Sequence, residues 1–168
     1  MVDCSRSNYS LKDDVEYRHK TGRLLMHRIG QLFAELGYCT WISKGQSTGL
    51  DLKVWDCENN LVIVAEILNW GPDTNLNGER KRKIIDNLSG YECNKLLIYT
   101  NMNNEYTLDG LGSKGISTLR IGYQIFARYF YPRLKAVHKL NGREIDSRET
   151  TLHLKQRLKE HLQALHTN

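Results

Sequence analysis

The chain has 168 residues, 2 prolines and 26% charged residues, which excludes a disordered or low-complexity polypeptide and suits a single domain with its own core. No apolar run is long enough to span a membrane, and the opening MVDCSRSNYS lacks the basic-then-apolar layout of a signal peptide. Its net charge of +5 favours an anionic partner, because lysine and arginine placed near phosphates release condensed counterions.

These features predict a cytoplasmic protein with no membrane partner, one domain over 1–168, and a flexible leader over 1–9. Cys4, Cys39, Cys57 and Cys93 are scattered, with neither a CxxC pair nor a histidine at zinc-ligand spacing. They read as reduced, mostly structural thiols.

Ser10 and Asp13 are placed to cap a long first helix that runs to about Leu36. Leu25, Ile29, Leu32, Phe33 and Leu36 recur at helical spacing, and Gly37 stands where a left-handed cap belongs. The pattern turns β-like over Tyr38 to Ser43, and KGQSTG then forms a glycine-bearing turn. LDLKVWD alternates as a half-buried strand should, and Cys57 to Asn60 is polar turn material. The run LVIVAEIL is apolar apart from one glutamate, as expected of a central strand covered on both faces.

A polar loop covers Asn69 to Gly78. ERKRKIIDNLSGY then reads as a helix, with Lys81, Ile84, Ile85 and Leu88 along one stripe. Strands are predicted from Lys95 to Thr100 and from Ile116 to Gly122. Gln124 to Leu140 is expected to be helical except near Pro132, and Thr150 to Leu165 forms a terminal helix. This order describes a mixed β-sheet flanked by helices, an α/β fold. The glycine-rich turns of nucleotide-binding folds, GxGxxG and GxxxxGK[ST], are absent.

The informative pair is Asp51, which opens LDLKV, and Glu66, inside an otherwise apolar strand. A carboxylate in such a run is costly to bury without compensation. A structural ion pair would meet that cost. So would a divalent cation shared with Asp51, since carboxylate oxygens are the hard ligands that Mg²⁺ or Mn²⁺ prefers, and such a cation activates water and stabilises charge on a phosphate.

The stretch TGRLLMHRIGQLFAELGYCTWISKGQSTGLDLKVWDCENNLVIVAEIL resembles the core of the PD-(D/E)xK superfamily, and within it archaeal Holliday-junction resolvases and restriction-type endonucleases. There a helix ending in Gly-aromatic leads to a strand, a glycine or serine turn, an Asp-hydrophobic strand and a strand ending Glu-x-Lys. The likeness covers roughly residues 20 to 100. It implies a restriction-endonuclease-like fold and a metal-dependent endonuclease acting on nucleic acid, DNA foremost, with Asp51 and Glu66 as metal ligands; because enzymes that cut two strands often pair by symmetry, a homodimer is expected.

Three positions depart from that pattern. Leu68 replaces the motif lysine, Leu50 the motif proline, and Met26 the glutamate that resolvases of this kind carry in the first helix. Two readings follow. The lysine has migrated, to Lys53 on the strand face of Asp51 or to Lys81 on the next helix. Alternatively the site is degenerate, Asn69 and Trp70 border a pocket without metal, and the fold serves as a nucleic-acid-binding or assembly module.

Other candidates are weaker. Helical periodicity puts Glu16 and His27 on the solvent side of the first helix and Asp14 on its core side, with His19 a further candidate base. Arg80, Lys81, Arg82 and Lys83 suit a nucleic-acid backbone, although a charge run at a helix start is more often just solvated. Arg128 and Arg133 interleave with Tyr123, Phe126, Tyr129, Phe130 and Tyr131, a mixture that serves base stacking, core packing or a subunit interface, the last two preferred. Gln124 loosely resembles a glutamine that some of these nucleases place on a helix near the metal.

Overall fold

The computed structural model describes residues 24–43, 49–130, 133–141 and 143–167. Helix α1 (Leu24–Glu35) leads into β1 (Cys39–Ile42), β2 (Leu52–Trp55) and β3 (Leu61–Leu68), followed by α2 (Gly78–Ser89), β4 (Asn94–Tyr99) and β5 (Ile116–Arg120). The chain continues through β6 (Gln124–Phe130), β7 (Arg133–Leu140) and β8 (Arg143–Ile145) into α3 (Ser147–His166). Two sheets result, a five-stranded one in the order β1-β2-β3-β4-β5 and a three-stranded one in the order β6-β7-β8.

In the larger sheet β1, β2 and β3 pair antiparallel, and β3, β4 and β5 pair parallel. β2 alone therefore runs against the other four. This is the expected mixed sheet with helices against it. β3 lies at its centre, which explains why its sequence reads as an unbroken apolar run.

Two apolar layers flank that sheet. On one face Leu25, Ile29, Leu32 and Phe33 of α1, with Leu154, Leu158 and Leu162 of α3, pack on Leu52, Val54, Ile63, Ala65, Leu96 and Ile98. Leu25, Ile29 and Phe33 are fully buried, and each such side chain contributes roughly 1.5–3 kcal/mol of transfer free energy. On the opposite face Ile84 and Leu88 of α2 pack on Val64, Leu68, Leu97 and Tyr99. The alternation of β3 thus puts Ile63, Ala65 and Ile67 on the α1 side, and Val64, Glu66 and Leu68 on the α2 side.

The helix ends follow local chemistry. Gly37 has φ +93, which lets Tyr38 N–H bond Phe33 O and Gly37 N–H bond Ala34 O, the expected left-handed stop. Asn77 caps α2 by accepting from Arg80 N–H, and Asp146 caps α3 by accepting from Arg148 and Glu149 N–H.

Two expectations are corrected. The stretch from Gln124 to Leu140 is not helical: it forms the antiparallel pair β6 and β7, with Gln124 opposite Lys139. Isoleucine, phenylalanine, tyrosine and valine favour a pleated surface, and this preference outweighs the helical spacing of the aromatics. Cys39 is disulfide-bonded, whereas Cys57 and Cys93 are free thiols. Ser10, Asp13, Asp14, Glu16, His19 and the turn over 44–48 also lie outside the described residues.

The small sheet is tied to the large one by Asn69, just beyond β3. Its amide donates to Ile125 O at 2.9 Å and accepts from Ile125 N–H at 3.3 Å, so a side chain takes the part of a neighbouring strand. In the small sheet His138, opposite Ile125, is fully buried and stacks on Tyr123 with ring centroids 5.1 Å apart. Thr150 Oγ1 donates to Asp146 O and therefore accepts from His138 Nδ1–H, which leaves Nε2 as a bare acceptor with no partner among the described residues. Burial, aided by Arg28, lowers the His138 pKa to about 4.

No helix among the described residues is long and apolar enough to cross a membrane.

Candidate functional site

Lys53 pairs with Val64 and Leu52 with Ala65, so the next step of the same register sets Asp51 opposite Glu66 on the face covered by α2. Backbone bonds extend the ladder through this step: Asp51 N–H donates to Ala65 O at 3.2 Å, and Asp51 O accepts from Ser43 N–H at 2.9 Å. Asp51 Oδ2 also accepts from Ile67 N–H at 2.8 Å, which fixes the carboxylate across the strand pair.

Glu66 is 1% exposed. Its Oε1 accepts from Asn87 Nδ2 at 2.9 Å, and Oε2 lies 3.6 Å from Arg80 Nη2. Arg80 and Asn87 are about two helical turns apart on α2, so one face of the helix presents both to the same carboxylate. Asn87 also donates to Gly49 O at 3.4 Å, joining α2 to the segment that carries Asp51.

Burial is the largest influence on the Glu66 carboxyl and raises its pKa, and the neighbouring Asp51 charge raises it further, to about 7. The bond from Asn87 and the charge of Arg80 pull it back without cancelling the shift. The two carboxyls face each other across the strand pair, and Asp51 therefore favours the neutral form of Glu66.

The sequence-predicted residues separate into two groups. Asp51 and Glu66 come together. Lys53 lies beside them on the strand, but its Nζ sits 5.5 Å from the ring centre of Trp41 and 5.3 Å from that of Tyr91. Lys81 Nζ donates to Asp109 O at 3.2 Å. The cation beside the acids is Arg80, from the basic cluster, whereas Arg82 and Lys83 are exposed on the outside of α2. Arg128 lies on β6, and its side chain is outside the described set.

Leu68, where the motif lysine would be, is buried among Leu76, Leu97 and Tyr99 and forms an apolar floor. Leu50 and Met26 are likewise buried. Gln124 begins a strand rather than lying on a helix, and its Nε2 donates to Asn69 O at 3.4 Å. Sequence reasoning misses Asn87. Its only signal is a polar residue on the helix face that also carries Arg80.

Two opposed carboxylates, one of them held toward its neutral form by burial, offer oxygen donors of the kind a divalent cation prefers, and a cation between them would relieve their repulsion. Among the described residues no third histidine, cysteine, aspartate or glutamate joins them. Compared with known proteins, the chain matches no protein-family model, no curated protein and no solved structure.

Proposed function

We propose that the chain is a metal-dependent endonuclease that hydrolyses phosphodiester bonds in nucleic acid, DNA foremost, with Asp51 and Glu66 holding Mg²⁺ or Mn²⁺. One observation carries this reading: two carboxylates opposed across β2 and β3, one of them almost fully buried, with a guanidinium beside them. The resemblance to PD-(D/E)xK nucleases and the net charge of +5 support it. Bound there, the cation would supply Lewis-acid stabilisation of charge on the phosphate.

The protein's own groups have separate tasks. Arg80 offers a planar pair of donors suited to phosphate oxygens, and so provides the positive charge that the motif lysine would otherwise bring. Asn87 holds Glu66 Oε1 toward Asp51. Lys53 is the cation nearest along the strand for an adjoining phosphate, and Arg82 and Lys83 extend the basic surface. A homodimer would present two such sites to the two strands of a duplex.

A second reading, a catalytically silent nucleic-acid-binding or assembly module, is favoured by Leu68 at the lysine position and by Asn87 and Arg80 meeting Glu66. Hydrolysis of supercoiled DNA in Mg²⁺ or Mn²⁺ separates the two. Cleavage that Asp51→Asn abolishes, with folding preserved, supports the nuclease; binding without cleavage in either cation supports the module.

A further inference from the structure

Trp41 and Tyr91, which have no part in the proposed hydrolysis, form a cluster with Lys53. Trp41 pairs with Lys53 across β1 and β2, so both project from the face that carries Asp51 and Glu66. Tyr91 follows α2, and its ring also lies near Lys53 Nζ. All three residues are half-buried rather than sealed in the core. Both rings lie near the same ammonium, at 5.5 and 5.3 Å from their centres.

Lys53 is two residues from Asp51, about 7 Å along an extended strand. A nucleotide next to one whose phosphate lies at the acid pair would therefore reach this cluster. Two aromatic rings with a cation near both suit such a nucleotide, because bases of any sequence stack on rings and an ammonium pairs more strongly with a phosphate than with a ring.

We propose that Trp41, Lys53 and Tyr91 are a platform for an unpaired nucleotide flanking the acid pair: Lys53 leaves the rings for the phosphate, and the base takes up the ring faces it has vacated. The preferred partner is then single-stranded or locally unpaired nucleic acid, since duplex bases are already stacked on one another. The inference rests on the nucleic-acid reading of the site, but it requires no hydrolysis.

The test is binding of a fluorescein-labelled oligothymidylate and of a labelled duplex of equal length, followed by anisotropy in EDTA so that cleavage plays no part. The expected result is tighter binding of the single strand. Trp41→Ala and Tyr91→Ala should each weaken that binding roughly ten-fold and leave duplex binding unchanged, and Trp41→Phe should retain it. Lys53→Gln should lower the slope of log affinity against log salt by about one phosphate contact. Equal affinity of Trp41→Ala and wild type for the single strand, or a preference for duplex, would overturn the platform. Asp51→Asn, assayed separately for cleavage, reports on the nuclease reading alone.

Discussion

Arg80 reaches down from the first turn of α2 to within 3.6 Å of Glu66, a carboxylate 1% exposed in the centre of the sheet. The attraction opposes the burial and, after it, the Asp51 charge that together raise the Glu66 pKa to about 7, without cancelling them. The pair is thus poorly accommodated as two anions. An arrangement of that kind costs stability and is suited to a cation.

Replacing Glu66 by glutamine should stabilise the metal-free protein at pH 8. The substituted side chain would donate from its amide nitrogen to Asp51 while its carbonyl still accepts from Asn87, so the bonds persist without the second charge. Because the folded pKa is raised above the ordinary carboxylate value, the fold binds more protons than the unfolded chain between about pH 4.5 and 7, and stability falls as pH rises through that window. The substitution should remove this slope and add about 1–3 kcal/mol at pH 8, measured by urea denaturation across pH.

His138 should give a slope of opposite sign. Its pKa is lowered to about 4, so between about pH 6.5 and 4 the unfolded chain takes up a proton that the fold resists, and stability falls as pH falls. His138→Phe keeps a ring against Tyr123 and removes the titrating group. Thermal denaturation from pH 4 to 7 should show the acid-side loss flattened in His138→Phe and retained in Glu66→Gln.

Arg80→Ala should leave the fold intact, because the guanidinium is 39% exposed. On the proposed nuclease reading, cleavage should fall about 10²-fold or more, in keeping with the loss of one pre-organised donor to developing charge. Arg80→Lys should restore part of it. Comparable loss with Lys81→Ala and none with Arg80→Ala would return the catalytic charge to Lys81.

Asn69→Ala should destabilise the protein by about 1–3 kcal/mol, since it leaves both backbone groups of Ile125 unpaired where the two sheets meet. Hydrogen exchange should locate the loss in β6. Uniform exchange across both sheets would instead mean that Asn69 has no special part in joining them.

The elements legible in sequence are those where local and tertiary preferences agree. The LVIVAEIL strand, the helix of ERKRKIIDNLS and the glycine after α1 each carry a strong period or an obligatory backbone conformation. The hairpin of β6 and β7 reads as a helix because its aromatics satisfy helical spacing as well as a pleat, and strand pairing is a long-range choice that periodicity does not report. Asp51 and Glu66 are visible as charges in an apolar context. Which cation meets them is not, because it depends on the rotation of α2 about its axis: Ile84 and Leu88 dock on the sheet and bring Arg80 and Asn87, rather than Lys81, over Glu66.

Whether Asp51 and Glu66 together hold one divalent cation decides between an enzyme and a silent module. Calorimetric titration with Mn²⁺ at pH 8 tests this directly, run beside Asp51→Asn and Glu66→Gln once circular dichroism shows both folded. Binding of one ion by the wild type, lost in both variants, is the predicted result. No binding by the wild type, or binding that survives both substitutions, would contradict it.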